Sequence, residues 1–236
     1  MLQAVLFDLD GTLLLMNHKE FIAEYVKELS GAVMPVIETE HFARTLRECI
    51  GATVNNLSPD LTNAEVFWAN LEARLGNRTE LLKPLVKQYY AERFHKLGRL
   101  ARPSSEARAV VEAILARGKR IVLATNPLFP LSAILDRMAW AGVADLPWEL
   151  ITSYENMHFC KPHPEYYLEI ARKLKIEPGE CLMVGNDTQT DLVAKNVGMK
   201  TYIVTDYLIG STEEAAKADG YGKLSSLRDW CRLRLK

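Results

Sequence analysis

Cysteine, long apolar runs and an excess of either charge are all scarce in this sequence, and each absence excludes a class of protein. Four cysteines in 236 residues, none in a C-x-x-C pair, argue against a disulfide framework or a zinc site and for a reducing compartment. No apolar run reaches the roughly 18 residues of a membrane-spanning helix, and the first residues form a strand-like segment instead of a secretory signal. With 29 Lys and Arg against 30 Asp and Glu, the chain has no excess positive charge that would attract nucleic acid or a membrane surface. We therefore expect a soluble, cytoplasmic protein that binds neither.

Short apolar segments alternate with amphipathic ones from about residue 104 onwards. The strand-like segments cover residues 120–124, 149–152, 182–184 and 200–204, and the helical ones 107–116, 131–140, 164–173 and 191–196. Together with the apolar run 2–7, this alternation predicts an α/β fold with a doubly wound, Rossmann-like parallel sheet. The chain is 48% hydrophobic, which is enough for one sizeable core plus an insert.

Between the first apolar run and this alternation, residues 18–100 have a helical period. Phe21, Tyr25 and Leu29 recur at the spacing of one helix face, and Gly31 is the predicted stop of that helix. Three further helices are predicted over residues 39–51, 62–75 and 79–97. Strand character is expected to cease after Thr12, so the segment predicts an all-helical insert.

Two carboxylates close the first apolar run. Asp8 and Asp10 follow the strand-like residues 2–7, and Gly11 starts a turn. Residues two apart in an extended segment share a face, so the two side chains start side by side. Close carboxylates repel each other unless a cation joins them, and oxygen ligands of this kind suit Mg²⁺. The pair therefore predicts a Mg²⁺ site at the carboxyl edge of the sheet, where open α/β folds bind ligands.

Four motifs in a fixed order make the sequence resemble the haloacid dehalogenase-like superfamily of phosphohydrolases. The first spans residues 8–12 (Asp-Leu-Asp-Gly-Thr), and the second is Thr125-Asn126 after the apolar residues 121–124. The third is Lys161-Pro162, and the fourth spans residues 185–191 (Gly-Asn-Asp-Thr-Gln-Thr-Asp). The resemblance covers residues 1–205, nearly the whole chain.

The resemblance implies an α/β core (residues 1–15 and 101–236) that carries a helical cap (residues 16–100). It also implies that Asp8 is a nucleophile that forms an aspartyl phosphate. Asp10 would protonate the leaving oxygen and then deprotonate the attacking water. The implied Mg²⁺ ligands at this motif are the Asp8 carboxylate and the Asp10 backbone carbonyl.

Three later residues complete the implied phosphate site. The Thr125 hydroxyl binds phosphoryl oxygens, the Asn126 amide adds a donor, and Lys161 screens the nucleophile from the phosphate. Taken without the other motifs, Lys161 is an ordinary surface lysine before a loop proline. Thr12 and Asp191 are expected to support the site.

The fourth motif departs from the commonest pattern, because Asn186 stands where many relatives have Asp. The Asn186 amide oxygen can ligate Mg²⁺ as a neutral hard ligand, at the loss of one negative charge. Alternatively, Asp187 reaches the ion directly or through water, while Asp191 orients Lys161 or a bound water. Asp187 and Thr188 also suit the N-cap of the following helix. The sequence leaves this choice open.

These residues favour a Mg²⁺-dependent phosphatase that acts on a small phosphomonoester, of phosphoglycolate or nucleotide type. Asp10 argues against the dehalogenases, which lack an acid there, and Thr12 against the sugar-phosphate mutases, which usually have valine. The mutase branch remains an alternative, as does a catalytically silent binding or regulatory protein. A phosphoacceptor receiver domain is disfavoured by the chain length and the insert.

The expected partner is a small phosphorylated metabolite, and the expected state is a monomer or weak homodimer. Candidate substrate contacts in the cap are Asn17, His18, Arg44 and Arg47. Each of them is also an ordinary surface residue type.

Overall fold

The computed structural model describes residues 1–234 and has a parallel sheet at its centre. The sheet strands are β1 (Ala4–Phe7), β4 (Arg120–Leu123), β5 (Leu150–Ile151), β6 (Cys181–Gly185), β7 (Lys200–Val204) and β8 (Gly220–Gly222). Their order is β5-β4-β1-β6-β7-β8, and every neighbouring pair is parallel. The order reverses direction at β1, which puts the first strand in the middle of the sheet. The predicted fold class, a doubly wound parallel sheet, is confirmed.

Both faces of the sheet are covered by helices, because its central strands are apolar on both sides. Side chains that alternate along β1 enter two separate apolar layers. One layer contains Val5, Phe7, Ile121, Leu123, Leu182 and Val184, and the other contains Ala4, Leu6, Val122 and Met183. Helices α5 (Ala107–Leu115), α6 (Leu131–Trp140) and α9 (Leu224–Arg234) cover the first layer, and α7 (Pro164–Leu174) covers the second. A short helix α8 (Thr212–Ala215) follows β7.

The helical insert, residues 18–100, contains four helices and a closing 3-10 segment. The helices are α1 (His18–Val33), α2 (Thr39–Val54), α3 (Asn63–Leu75) and α4 (Arg78–Glu92), and the 3-10 helix spans Phe94–Leu100. The Thr62 side chain and Glu65 form a capping box at the start of α3. The backbone amides of Asn63 and Ala64 donate to the carbonyls of Met157 and Tyr154, at 2.8 Å each. The first turn of α3 is therefore tied to the loop that precedes Lys161.

Three sequence-based expectations about this insert are wrong. The helix predicted over residues 79–97 ends at Glu92, and a separate 3-10 helix, Phe94–Leu100, follows it. Gly31 does not end α1, which continues to Val33, because Gly31 is exposed and adopts helical backbone like its neighbours. Strand character does not cease after Thr12, since β2 (Leu14–Met16) pairs antiparallel with β3 (Ala101–Pro103). This two-stranded ribbon joins the chain where it enters the insert to the chain where it leaves.

An aromatic cluster packs the insert on the core. Its members are Phe21, Tyr25, Phe94, Phe129 and Trp140. The Phe94 and Trp140 rings stack with centroids 5.8 Å apart, and those of Tyr25 and Phe129 lie 4.9 Å apart. Three rings come from the insert and two from the core, so the cluster buries the junction between them.

Among the helices of residues 1–234, none combines the length and apolar character needed to cross a membrane. The predicted core segment that runs to residue 236 is described up to Arg234, and residues 235 and 236 lie outside the described residues.

Candidate active site

The sequence-predicted site residues come together at the carboxyl edge of the sheet. Asp8 follows β1, Thr125 follows β4, and Asn186 follows β6, so parallel pairing brings their loops to one edge. They line a cleft of about 150 Å³, whose walls are Asp8, Asp10, His18, Thr125, Asn126, Lys161, Asn186, Asp187, Thr190, Asp191 and Ile209. We call this the carboxylate cleft.

The predicted residues outside its walls fall into two groups. Thr12 is fully buried and bonds to Asp8 and Asn186, so it supports the carboxylate cleft from within the core. Asn17 lines an adjoining recess, and its side-chain oxygen caps α1 by accepting from the Glu20 amide. Arg44 and Arg47 lie on α2 and do not line the cleft. Of the four candidate substrate contacts, only His18 does.

Gly11 allows the loop after β1 to approach Asn186 closely. Its φ of 87° is disfavoured for residues with a side chain, and a Cβ would lie 2.2 Å from Asn186 Nδ2. A glycine is therefore required here on two independent grounds, and it brings the first and fourth motifs into contact.

Lys161 joins two carboxylates beneath the carboxylate cleft. Its Nζ donates to Asp8 Oδ1 at 2.9 Å and to Asp191 Oδ1 at 2.7 Å, and its side chain is 3% exposed. Its backbone amide donates to Asn126 Oδ1 at 3.1 Å, which fixes Asn126 against the same loop. Lys161 is thus held at three points and cannot swing away from Asp8.

Burial and charge act against each other in this triplet. Burial alone would lower the pKa of Lys161, but attraction by Asp191 and Asp8 outweighs it and raises that pKa well above its usual value. Burial raises the pKa of Asp8 and of Asp191, and the Lys161 ammonium opposes both rises. Lys161 therefore stays charged while it neutralises the buried carboxylates.

Asn186 and Asp8 share one hydroxyl group. Thr12 Oγ1 lies 3.2 Å from Asn186 Oδ1 and 3.4 Å from Asp8 Oδ2, both acceptors for its single proton. Asn186 Nδ2 donates to the Tyr207 carbonyl at 2.6 Å, which turns the amide oxygen toward Asp8. Both oxygens therefore lie within 3.4 Å of one hydroxyl and keep lone pairs to spare.

Asp187 makes local bonds at the start of the fourth motif. Its Oδ1 accepts from the Gln189 amide at 2.8 Å, and its backbone amide donates to Asp191 Oδ2 at 3.0 Å. The Gln189 bond closes an Asx turn and is not the helix N-cap that the sequence allows for Asp187, because the following 3-10 helix, Asp191–Val197, starts after Thr190 and has no side-chain cap. Asp187 also lines the cleft.

The donor set fits Mg²⁺ only if it extends beyond acidic side chains. Within residues 1–234, no group of three His, Cys, Asp or Glu side chains is arranged to hold a metal. Mg²⁺ prefers hard oxygens, and the Asp8 carboxylate and the Asn186 amide, which both accept from the Thr12 hydroxyl, are of that type. The resemblance adds the Asp10 backbone carbonyl to this set. The departure at Asn186 thus leaves a neutral oxygen donor where an acid would be expected.

Sequence reasoning missed Arg137, a buried residue of α6. Its Nη1 donates to Asp10 Oδ2, and its side chain is 1% exposed. A signal was present, because Arg137 lies three and four residues from Ile134 and Ala133, on the buried face of the helix. A charge on an apolar helix face needs a partner, and only the fold shows that this partner is Asp10.

A family model for haloacid dehalogenase-like hydrolases matches residues 2–198. The chain belongs to the haloacid dehalogenase-like hydrolase family. The sequence-based assignment to this family, which rested on the four motifs, is confirmed.

Individual relatives of this haloacid dehalogenase-like hydrolase carry phosphatase names. YhcW of Bacillus subtilis (strain 168), named as a phosphatase, is 27% identical, and the match covers 89% of this chain and 87% of that protein. A phosphoglycolate phosphatase of Psychrobacter arcticus is 23% identical over 84% of this chain and 81% of its own length. The crystal structure of a HAD phosphatase from Thermococcus onnurineus has a TM-score of 0.60 at 21% identity, covering 97% of each chain. The prediction of a phosphatase-type enzyme is confirmed by these matches.

Proposed function

We propose that this protein hydrolyses a small phosphomonoester with the help of Mg²⁺ and through an aspartyl phosphate on Asp8. One observation carries the proposal: the Lys161 ammonium bridges Asp8 and Asp191 in a cleft that Asp10, Thr125 and Asn186 also line. A nucleophile, a proton donor, phosphate ligands and a cation site are thereby within one small space. Phosphoryl transfer needs little more than such positioning and charge neutralisation.

The charges of the carboxylate cleft explain the need for a divalent cation. Four carboxylates, of Asp8, Asp10, Asp187 and Asp191, face the cations of Lys161 and Arg137, which leaves two negative charges. A phosphomonoester dianion would be repelled by this surplus. When bound, Mg²⁺ supplies charge neutralisation and polarises a phosphoryl oxygen.

The protein residues then carry two steps. In the first, Asp10 starts protonated in the enzyme–substrate complex. An Asp8 carboxylate oxygen forms a bond to phosphorus, the ester P–O bond breaks, and Asp10 gives that proton to the leaving oxygen. In the second, water attacks phosphorus, Asp10 takes its proton, and the bond to Asp8 breaks with release of phosphate. Lys161 and Thr125 hold the phosphoryl oxygens, and the Thr125 backbone is fixed by the Thr152 and Tyr166 hydroxyls at 2.7 and 2.9 Å.

The helical insert acts in this proposal as the cap of the site, with residues 1–15 and 101–236 as the core. His18 at the start of α1 lines the carboxylate cleft, so the insert contributes directly to its wall. A cap that covers the cleft excludes water and contacts the leaving group. A small phosphorylated metabolite fits such a site better than a protein, and phosphoglycolate is a candidate because one relative is named for it.

Release of p-nitrophenol from p-nitrophenyl phosphate tests the proposal. We expect turnover with Mg²⁺ and its loss in EDTA, with a circular dichroism spectrum showing that the protein stays folded. A panel of phosphorylated metabolites, assayed for inorganic phosphate, then identifies the substrate class. Absence of metal-dependent turnover in the folded protein would contradict the proposal and favour a silent binding protein.

A further inference from the structure

We propose that Arg137 is a positioning residue that holds the Asp10 carboxylate for proton transfer to the leaving group. The inference rests on the proposed function, since it assigns Arg137 a role through Asp10. Arg137 belongs to α6, far along the chain from the first motif, and it does not line the carboxylate cleft. It reaches Asp10 from inside the protein, on the side away from substrate.

The pair is buried, so the contact is not an incidental surface bridge. Arg137 and Asp10 side chains are 1% and 11% exposed. A buried guanidinium that loses its carboxylate partner is strongly destabilising. Arg137 Nε also donates to the Ala133 carbonyl at 3.3 Å, which anchors the side chain along its own helix.

The guanidinium has a rigid support. Its Cζ lies 4.5 Å from the centroid of the Phe129 ring, a distance typical of cation–π stacking. Phe129 belongs to the aromatic cluster, where Tyr25 of the insert lies 4.9 Å from it. Arg137 is therefore held by the packing of the insert on the core, and its position is fixed before substrate binds.

The ion pair leaves one carboxylate oxygen of Asp10 unpaired. Of the two Asp10 oxygens, Arg137 bonds only to Oδ2. Asp10 Oδ1 and Arg137 Nη2 are buried and have no hydrogen-bond partner within residues 1–234. A two-pronged arginine contact would have used both oxygens. The single bond fixes the direction of the carboxylate through Oδ2, while the second oxygen, Oδ1, stays unpaired.

The two acids of the first motif are each paired with a different cation. Lys161 pairs with Asp8, which bonds to phosphorus in the proposed reaction, and Arg137 pairs with Asp10, which transfers the proton. If Arg137 positions Asp10, its loss should matter most when the leaving oxygen is basic. p-Nitrophenolate leaves as a stabilised anion, whereas an alkoxide must be protonated as the P–O bond breaks.

The test compares kcat/KM for p-nitrophenyl, phenyl and n-propyl phosphate in the wild type, Arg137→Gln and Arg137→Lys. The control is Arg108→Gln on α5, which breaks an exposed ion pair with Asp145. We expect the Gln variant to lose at least about tenfold more on n-propyl than on p-nitrophenyl phosphate, within the roughly 10²–10⁴ contributed by a positioned acid. The Lys variant should recover part of that difference, and Arg108→Gln should leave all three values unchanged.

An equal loss on all three esters in a folded variant would overturn the inference, because a merely structural arginine does not sense the leaving group. If Arg137→Gln does not fold, the same comparison is made with Arg137→Lys: an equal loss of kcat/KM on all three esters would overturn the inference. In the residual activity of Asp10→Asn, adding Arg137→Lys should not alter the leaving-group dependence further, and a further change would also overturn it. Failure of the wild type on every ester would instead contradict the proposed function itself.

Discussion

Lys161 and Arg137 distribute the negative charge of the carboxylate cleft among fixed partners. Lys161 pairs with Asp8 and Asp191, and Arg137 pairs with Asp10. Removing one member of such a buried pair leaves the other charge uncompensated, which destabilises more than deletion of both. Substitutions that keep shape and hydrogen bonding are therefore the informative ones at this site.

Asp8→Asn is expected to abolish turnover and leave the fold intact. The amide has the same shape and can still accept from Lys161, but it cannot form the covalent acyl phosphate. The loss should be on the order of 10⁴-fold or more, as for other covalent nucleophiles. Phosphate release and thermal melting measure the two effects, with the exposed Asp60→Asn as a matched control that should retain activity. Activity near that of the wild type would remove Asp8 from the mechanism.

Asn186→Asp is expected to preserve or improve Mg²⁺ affinity. The substitution adds a negative charge beside Asp8 and keeps an oxygen for the Thr12 hydroxyl. It also replaces the Nδ2 donor with an oxygen that faces the Tyr207 carbonyl, so the metal-free variant should melt at a lower temperature. Titration of activity with Mg²⁺ measures the affinity. A large loss of affinity would show that the amide itself is required.

At the scale of elements, local patterns predicted the long strands and helices but not the pairs that form across the chain. The apolar runs of β1, β4 and β7 mark buried strands because both of their faces are covered. β2 and β3 have three residues each and are strands only because they find each other at the two ends of the insert. β8 has a glycine-rich sequence with no apolar alternation, so its place at the sheet edge depends on β7.

In the carboxylate cleft too, some features could be predicted from local sequence patterns and others depend on contacts across the chain. The residues of its four motifs follow strand ends, and a parallel sheet must bring strand ends together, so their convergence was predictable. Arg137 follows no strand, and its partner Asp10 lies 127 positions away in sequence. Its role depends on how α6 packs on the loop after β1, which no local pattern reports.

Two glycines in the insert should respond to alanine in opposite directions. Gly31 lies inside α1 with nothing within 4 Å of the place that an alanine Cβ would take, so Gly31→Ala should stabilise by up to about 1 kcal/mol. At Gly98, a Cβ would lie 2.9 Å from Trp140 Nε1, so Gly98→Ala should destabilise by about 1–3 kcal/mol. Urea unfolding measures both changes. Equal effects of the two substitutions would contradict the packing of the 3-10 segment on α6.

At the scale of the whole molecule, charge is uneven although the chain carries a formal net charge of only −1. The carboxylate cleft concentrates two uncompensated negative charges at one edge of the sheet, where they oppose folding. An unfolded chain separates these carboxylates, so a divalent cation gains its ligands only in the folded state. Metal binding and stability should therefore be linked.

Mg²⁺ is expected to raise the melting temperature of the wild type. A ligand that binds only the folded state at one hundred times its dissociation constant stabilises by about 2.7 kcal/mol. For a chain of this length that corresponds to a shift of roughly 5–10 °C, at about 2–4 °C per kcal/mol. Differential scanning calorimetry measures the shift, EDTA should reverse it, and NaCl at matched ionic strength controls for general screening. Asp8→Asn should reduce the shift in melting temperature and Asp60→Asn should not, because Asp8 lines the cleft and Asp60 does not. An equal shift from NaCl, or one that survives in Asp8→Asn unchanged, would place the cation elsewhere on the molecule.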